Sequence, residues 1–233
     1  MSKERSTVSR TPAPALAAAA DIRQAMPPNR RDELEIILDR LLTDDRMNVV
    51  WEVLNRRHPD GTLLYPGRRP PWMPSNADQA TRLRELASKS VKHTDTEVAR
   101  RHRASAKVYQ SAPDRFSPQD AALYGVMFNA YHAYAIHMRT ATQAEVLRLP
   151  YPQRRSMPPD AYIVQRRRSD PRLQAYCSNV ALGFRDIFLL QAPDGSIQPA
   201  ALYGITATLA SVVFQDNITA DAVRKMTSNF ILD

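Results

Sequence analysis

Apolar residues recur at three- and four-residue steps through most of this chain, the spacing of one face of a helix. Leu34, Ile37, Leu38, Leu41 and Leu42 form a first stripe, and Met47, Val50, Trp51 and Leu54 a second. Thr43 and Asp44 lie between them and offer an N-cap, so the spacing predicts a helical hairpin or one helix broken near Thr43. Residues 77–110 also read as helix. Thr94 and Glu97 have capping-box spacing there, which predicts a break near His93. Ser117-Pro118-Gln119-Asp120 is a helix start with a cap, a proline at the first helical position and an acid near the positive end of the dipole. That helix should run to about Ala141. Leu123, Met127, Ala130, Tyr131 and Tyr134 give it a broad apolar face, so it should be central to the core.

Beyond it, Asp170-Pro171 opens a helix carrying Leu173, Tyr176, Cys177, Val180, Ala181, Phe184 and Ile187 at helical spacing. A helix over 199–214 follows, then one capped by Thr219 that runs to about Asn229. The turn Ala192-Pro193-Asp194-Gly195 could join two short strands, giving a β-hairpin near 188–198.

The interruptions set the organisation. Residues 1–29 are Ser-, Thr-, Ala- and Pro-rich without sustained period and read as a disordered tail. Residues 58–76 hold five prolines and two glycines and form a loop, which Tyr65 and Trp72 should pin to a helical surface. Pro150, Pro152, Pro158 and Pro159 mark a linker over 150–160. The expectation is a mainly α protein: a multi-helix bundle over 30–149 and a smaller C-terminal helical subdomain over 161–233.

Composition agrees with that class. Six glycines in 233 residues are few for turn-rich β architecture. The lone Cys177 excludes an internal disulfide and a cysteine-rich zinc site, and its apolar neighbours suggest a buried small hydrophobe. The uncharged stretches at 121–138 and 195–215 contain too many polar residues to span a membrane, and no secretory leader is visible. The expected setting is the cytoplasm, with no membrane partner.

Charge is the more informative quantity. The net charge is +8, and 27 of the 32 basic residues are arginine. Codon usage in a GC-rich genome would give that bias, and so would phosphate contact. The charge is localised. Residues 82–115 carry nine bases against four acids, and residues 139–172 eight against three, so each is a +5 region. On one helix Arg100, Arg103 and Lys107 would share a face, joined by Lys89 and Lys92 if the helix ran unbroken. Val91, Val98 and Tyr109 would take the opposite side. Such a row of cations suits a repeating phosphate backbone, and it is also what a solvated helix face looks like. Arg166, Arg167 and Arg168, with Tyr151 and Tyr162 nearby, form a second candidate for wrapping nucleic acid. Arg224 and Lys225 are a third. They lie on the second helix of a pair resembling a helix-turn-helix, although its connection is long and two antiparallel core helices explain the pattern as well.

His132 and His137 stand five apart, the wrong step for metal ligands on one helix face, and no carboxylate is at ligand spacing. Phosphate-loop, dinucleotide, His-Glu-x-x-His and nucleophile-elbow motifs do not occur. No cofactor or metal is called for. Three functions stay open: a basic nucleic-acid-binding or regulatory protein without enzymatic activity, a protein–protein adaptor or self-assembling subunit, and an enzyme with an unfamiliar site.

Overall fold

The computed structural model describes residues 11–26, 28, 31–70, 72–147, 171–188 and 199–231, without the side chains of 33, 136–147, 171, 199 and 228–231. It is mainly α, with nine helices and no strand among the described residues. These are α1 (Ala13–Ala25), α2 (Arg31–Thr43), α3 (Met47–Leu54), α4 (Asn76–Lys92), α5 (Thr96–Ser111), α6 (Pro118–Leu147), α7 (Pro171–Phe188), α8 (Pro199–Phe214) and α9 (Ala220–Ile231). The β-hairpin expected near 188–198 falls almost wholly outside the described residues, and Phe188 closes α7. The 150–160 linker lies outside them as well.

One hydrophobic core draws on residues from Ala15 to Val223. Helix α8 is apolar on nearly every side and packs against α2, α3, α7 and α9, as an all-round hydrophobic helix must. Helix α6 packs against α1, α2 and α7. The Cys177 thiol is fully buried on α7 and burial pushes it up to about 12, so it is a packing group rather than a nucleophile.

Residues 13–25 depart from the expected disordered tail. They form α1, with Ala15, Ala18, Ala19 and Ile22 buried against the core. Pro12 and Pro14 stand at its start, where a missing N–H costs nothing. Alanine gives high helix propensity but little amphipathic contrast, so periodicity did not reveal this helix.

The corner between α2 and α3 falls at Asp44–Arg46, where Thr43 and Asp44 predicted a break. Asp44 accepts bonds from Arg46 N at 3.0 Å and from Arg46 Nη2 at 2.6 Å. Arg46 Nη1 donates to Ser211 O at 3.0 Å and Arg40 Nη1 to Val213 O at 2.9 Å. Two guanidinium groups thereby satisfy carbonyls in the last turn of α8, the negative end of its dipole. Arg46 holds the Asp44 carboxyl down at about 2. A lowered carboxylate adds stability that is full above its ordinary value of 3.8 and is lost as pH falls through about 2. Asp44→Asn should therefore cost about 1–2 kcal/mol at neutral pH. Urea titrations from pH 7 to about pH 1.5 should show the gap between wild type and variant narrowing below about pH 4 and closing only as pH passes about 2; a gap unchanged across that range would remove the ion pair as its cause.

The Pro-rich loop before α4 lies flat on α6. A Cβ at position 67 would stand 2.5 Å from Gln119 Oε1 and 2.6 Å from Ala122 Cβ, and one at position 125 would stand 3.0 Å from Pro70 Cγ. Glycine on each side permits the approach. Tyr65 is buried, and Trp72 packs on Phe128 with ring centroids 4.4 Å apart and planes inclined 31°, so both aromatics pin the loop.

Candidate nucleic-acid interface

Helices α4 and α5 stand apart from this architecture. They pack closely on each other, and neither packs extensively on another helix. Their buried residues are Ala80 and Ala87 on α4 and Ala99 and Ala106 on α5, none of which belongs to the main core. On each helix the two alanines are seven residues apart, the repeat that keeps one seam facing a partner. All four are buried while the two helices pack on each other, so alanine lines the seam between them. The hairpin projects as a two-helix arm about 25 Å long.

Its ends are well tied. The chain reverses at Thr94, which takes φ 62°, and Asp95 caps α5 by accepting from Val98 N at 3.0 Å. The cap is thus Asp95, not the Thr94 of the expected capping box, because Thr94 is spent on the left-handed turn. A capping box that the sequence reading missed joins Ser75 and Asp78 at the start of α4. At the root, Asn76 N donates to Asp114 Oδ1 at 2.7 Å and Asn76 Nδ2 to Pro113 O at 2.9 Å. Arg69 reaches across from the loop to Phe116 O at 2.6 Å.

A groove of about 580 Å³ runs between the two helices. Arg84 and Lys92 of α4 and Arg103 and Lys107 of α5 line it, and no acidic residue does. None of the four forms an ion pair among the described residues; Arg84 donates to the neutral amide of Gln110. Four cations without an acidic partner along one channel give it a positive potential that would attract an extended polyanion.

This redistributes the sequence candidates. Arg103 and Lys107 belong to the groove. Lys92 joins them across the hairpin, because the chain reverses, while Lys89 does not line it. Val91, expected on the opposite side, lines the groove. Arg100 sits outside and pairs with Glu97 at 2.8 Å. Arg84 was missed; only the antiparallel register brings it to the others. Arg166, Arg167 and Arg168 lie outside the described residues. Arg224 and Lys225 are exposed on α9, and both are bound to Asp221, at 2.6 and 2.7 Å. They hold that carboxyl at about 2. Helix α9 packs on α7 and α8.

His132 is exposed and stacks on Phe128, while Cys177 is buried among apolar side chains. Among the described residues no group of three or more His, Cys, Asp or Glu could hold a metal ion, and no helix is long and apolar enough to cross a membrane. Comparison with family models, with curated proteins and with solved structures found no match for this chain.

Proposed function

We propose that this chain binds nucleic acid, without enzymatic chemistry, through the groove of its projecting hairpin. The observation that carries the reading is the convergence of Arg84, Lys92, Arg103 and Lys107 on one acid-free channel. Helical cations contact phosphates and read no base edge from such a channel, so binding is backbone-directed and weakly sequence-specific. A regulatory role would follow from occupancy of the nucleic acid.

A second reading is an adaptor whose partner is an acidic protein. Exposed apolar side chains away from the groove favour it, since Leu86, Val108 and Tyr109 are exposed and Val108 keeps 66% of its surface. Such a partner would cover apolar side chains as well as cations.

Fluorescence polarisation against a labelled oligonucleotide, at roughly 50 and 200 mM salt, separates the two. Four phosphate contacts give a log–log salt slope of about −3 to −4, hence a loss of about two orders of magnitude over that range. No binding at the lower salt would defeat the nucleic-acid reading and leave the adaptor.

A further inference from the structure

The root of the hairpin carries a row of aromatic rings at the edge of the core, running from buried Phe116 to exposed His132. Tyr124, Phe128 and His132 follow at four-residue steps on α6, so they stand one above the other on one face. Tyr124 and Phe128 stack with centroids 6.2 Å apart and planes inclined 15°; Phe128 and His132 stack at 5.5 Å and 17°. Phe116 extends the row at 5.5 Å from Tyr124. Trp72 lies over Phe128 at 4.4 Å and Tyr124 at 5.9 Å. Trp72 nevertheless keeps 45% of its surface exposed, and His132 at the far end is exposed too. A tryptophan packed on two rings inclined 31° and 46° to it, and still nearly half exposed, offers ring surface on which a base can stack.

Its position is at the root of the arm that carries the groove. Trp72 precedes Ser75, the cap of α4, by three residues, and Phe116 lies between the end of α5 and the start of α6. The platform therefore begins where both helices of the arm are rooted. Cations accompany it: the Arg115 guanidinium lies 5.1 Å from the centre of the Phe116 ring, and Arg69 is in the same loop as Trp72. The nearby Asp21 carboxylate is bound to Arg115 at 2.7 Å and so opposes a phosphate less than a free one would.

We infer that the nucleic acid this protein takes is single-stranded, with bases stacked on Trp72 and its aromatic row while the phosphate backbone follows the basic groove of the hairpin. The inference rests on the proposed function and specifies its substrate. A paired duplex keeps its base faces inside its own stack and cannot offer them to Trp72. A single strand can, and stacking on aromatic side chains with cations along the backbone is how sequence-tolerant single-strand binders work. The charged groove alone makes no such distinction.

The test uses the full chain and three 20-mers at about 50 mM salt: oligothymidine, an abasic strand of the same length, and a duplex. Wild type should bind oligothymidine at least about tenfold tighter than the abasic strand, since one base stack is worth about 1–3 kcal/mol. Tryptophan emission should be quenched by oligothymidine and not by the abasic strand, and the responding residue should be Trp72, since Trp51 is 2% exposed. In Trp72→Ala the two single strands should come within about twofold of each other, while Trp72→Phe should recover part of the difference. Oligouridine RNA, titrated alongside, identifies the sugar, and the base-dependent gain is expected on at least one of the two. Equal affinity of wild type for abasic and base-bearing strands, or a duplex bound as tightly as oligothymidine, would overturn the single-strand assignment and leave backbone binding intact. Absence of binding to all of these probes would overturn both.

Discussion

Reversing the charge of the groove with Arg84→Glu, Lys92→Glu, Arg103→Glu and Lys107→Glu should reduce affinity for oligonucleotides by at least two orders of magnitude at about 50 mM salt. Each cation that meets a phosphate contributes about 0.7–0.9 to the log–log salt slope, so neutral glutamines at the four positions should flatten it by about 3 to 4. The glutamate set goes further because it adds repulsion. All four side chains lie on the arm, outside the main core, so the helical signal and thermal midpoint should stay close to wild type. Arg224→Glu with Lys225→Glu makes the contrast. Both side chains are already bound to Asp221, so their reversal should change affinity no more than about threefold. Polarisation titrations of wild type and the three variants at two salt concentrations decide it. If the groove set keeps its slope and the Arg224/Lys225 pair loses its own, the binding surface is on α9 and not on the arm.

That contrast follows the line between what the sequence makes visible and what it hides. Local chemistry is visible: the break at Asp44–Arg46, the Ser117 cap whose Oγ accepts from Asp120 N at 3.1 Å, and the Thr219 cap on Ala222 N at 3.2 Å all use residues within three or four positions. The ion pairs that quiet Arg100, Arg224 and Lys225 are of the same kind. Each acid stands three or four residues from its base, so the partial neutralisation could have been read from spacing alone. Long-range assembly is hidden. A single-helix wheel groups Arg100 with Arg103 and Lys107 and has no place for Arg84, nineteen residues before Arg103. Only the turn at Thr94 and the alanine seam bring Arg84 and Lys92 alongside. The aromatic row was half visible: the four-residue steps of Tyr124, Phe128 and His132 are in the sequence, but Trp72 comes from a loop that glycines at 67 and 125 let down onto α6. Alanine is the common difficulty. It fills α1 and forms the seam of the arm, and its small side chain gives little hydrophobic contrast in either place.

The seam makes the last result the most diagnostic of the architecture. Ala87→Leu combined with Ala99→Leu places two large side chains in a seam lined by buried methyl groups, and the arm should open. Overpacking costs about 1–3 kcal/mol per site in a well-packed interior. The arm has little to set against that, since four alanine methyl groups bury far less apolar area than leucines would. Once apart, helices of 17 and 16 residues are only marginally stable in water, so both should melt. Roughly a fifth to a quarter of the far-ultraviolet helical signal should be lost, and oligonucleotide affinity should fall with it because the groove no longer exists. The main core should keep its thermal midpoint within a few degrees, since no residue of the seam belongs to it. Ala104→Leu on the outward face of α5 should change neither signal nor affinity, which isolates the seam from leucine as such. Circular dichroism melting beside a binding titration reads all of these outcomes. A single transition shifted well downward in the seam variant would mean that the arm is part of the core's cooperative unit. A variant that loses helix yet binds unchanged would place the binding surface elsewhere than in the groove between α4 and α5.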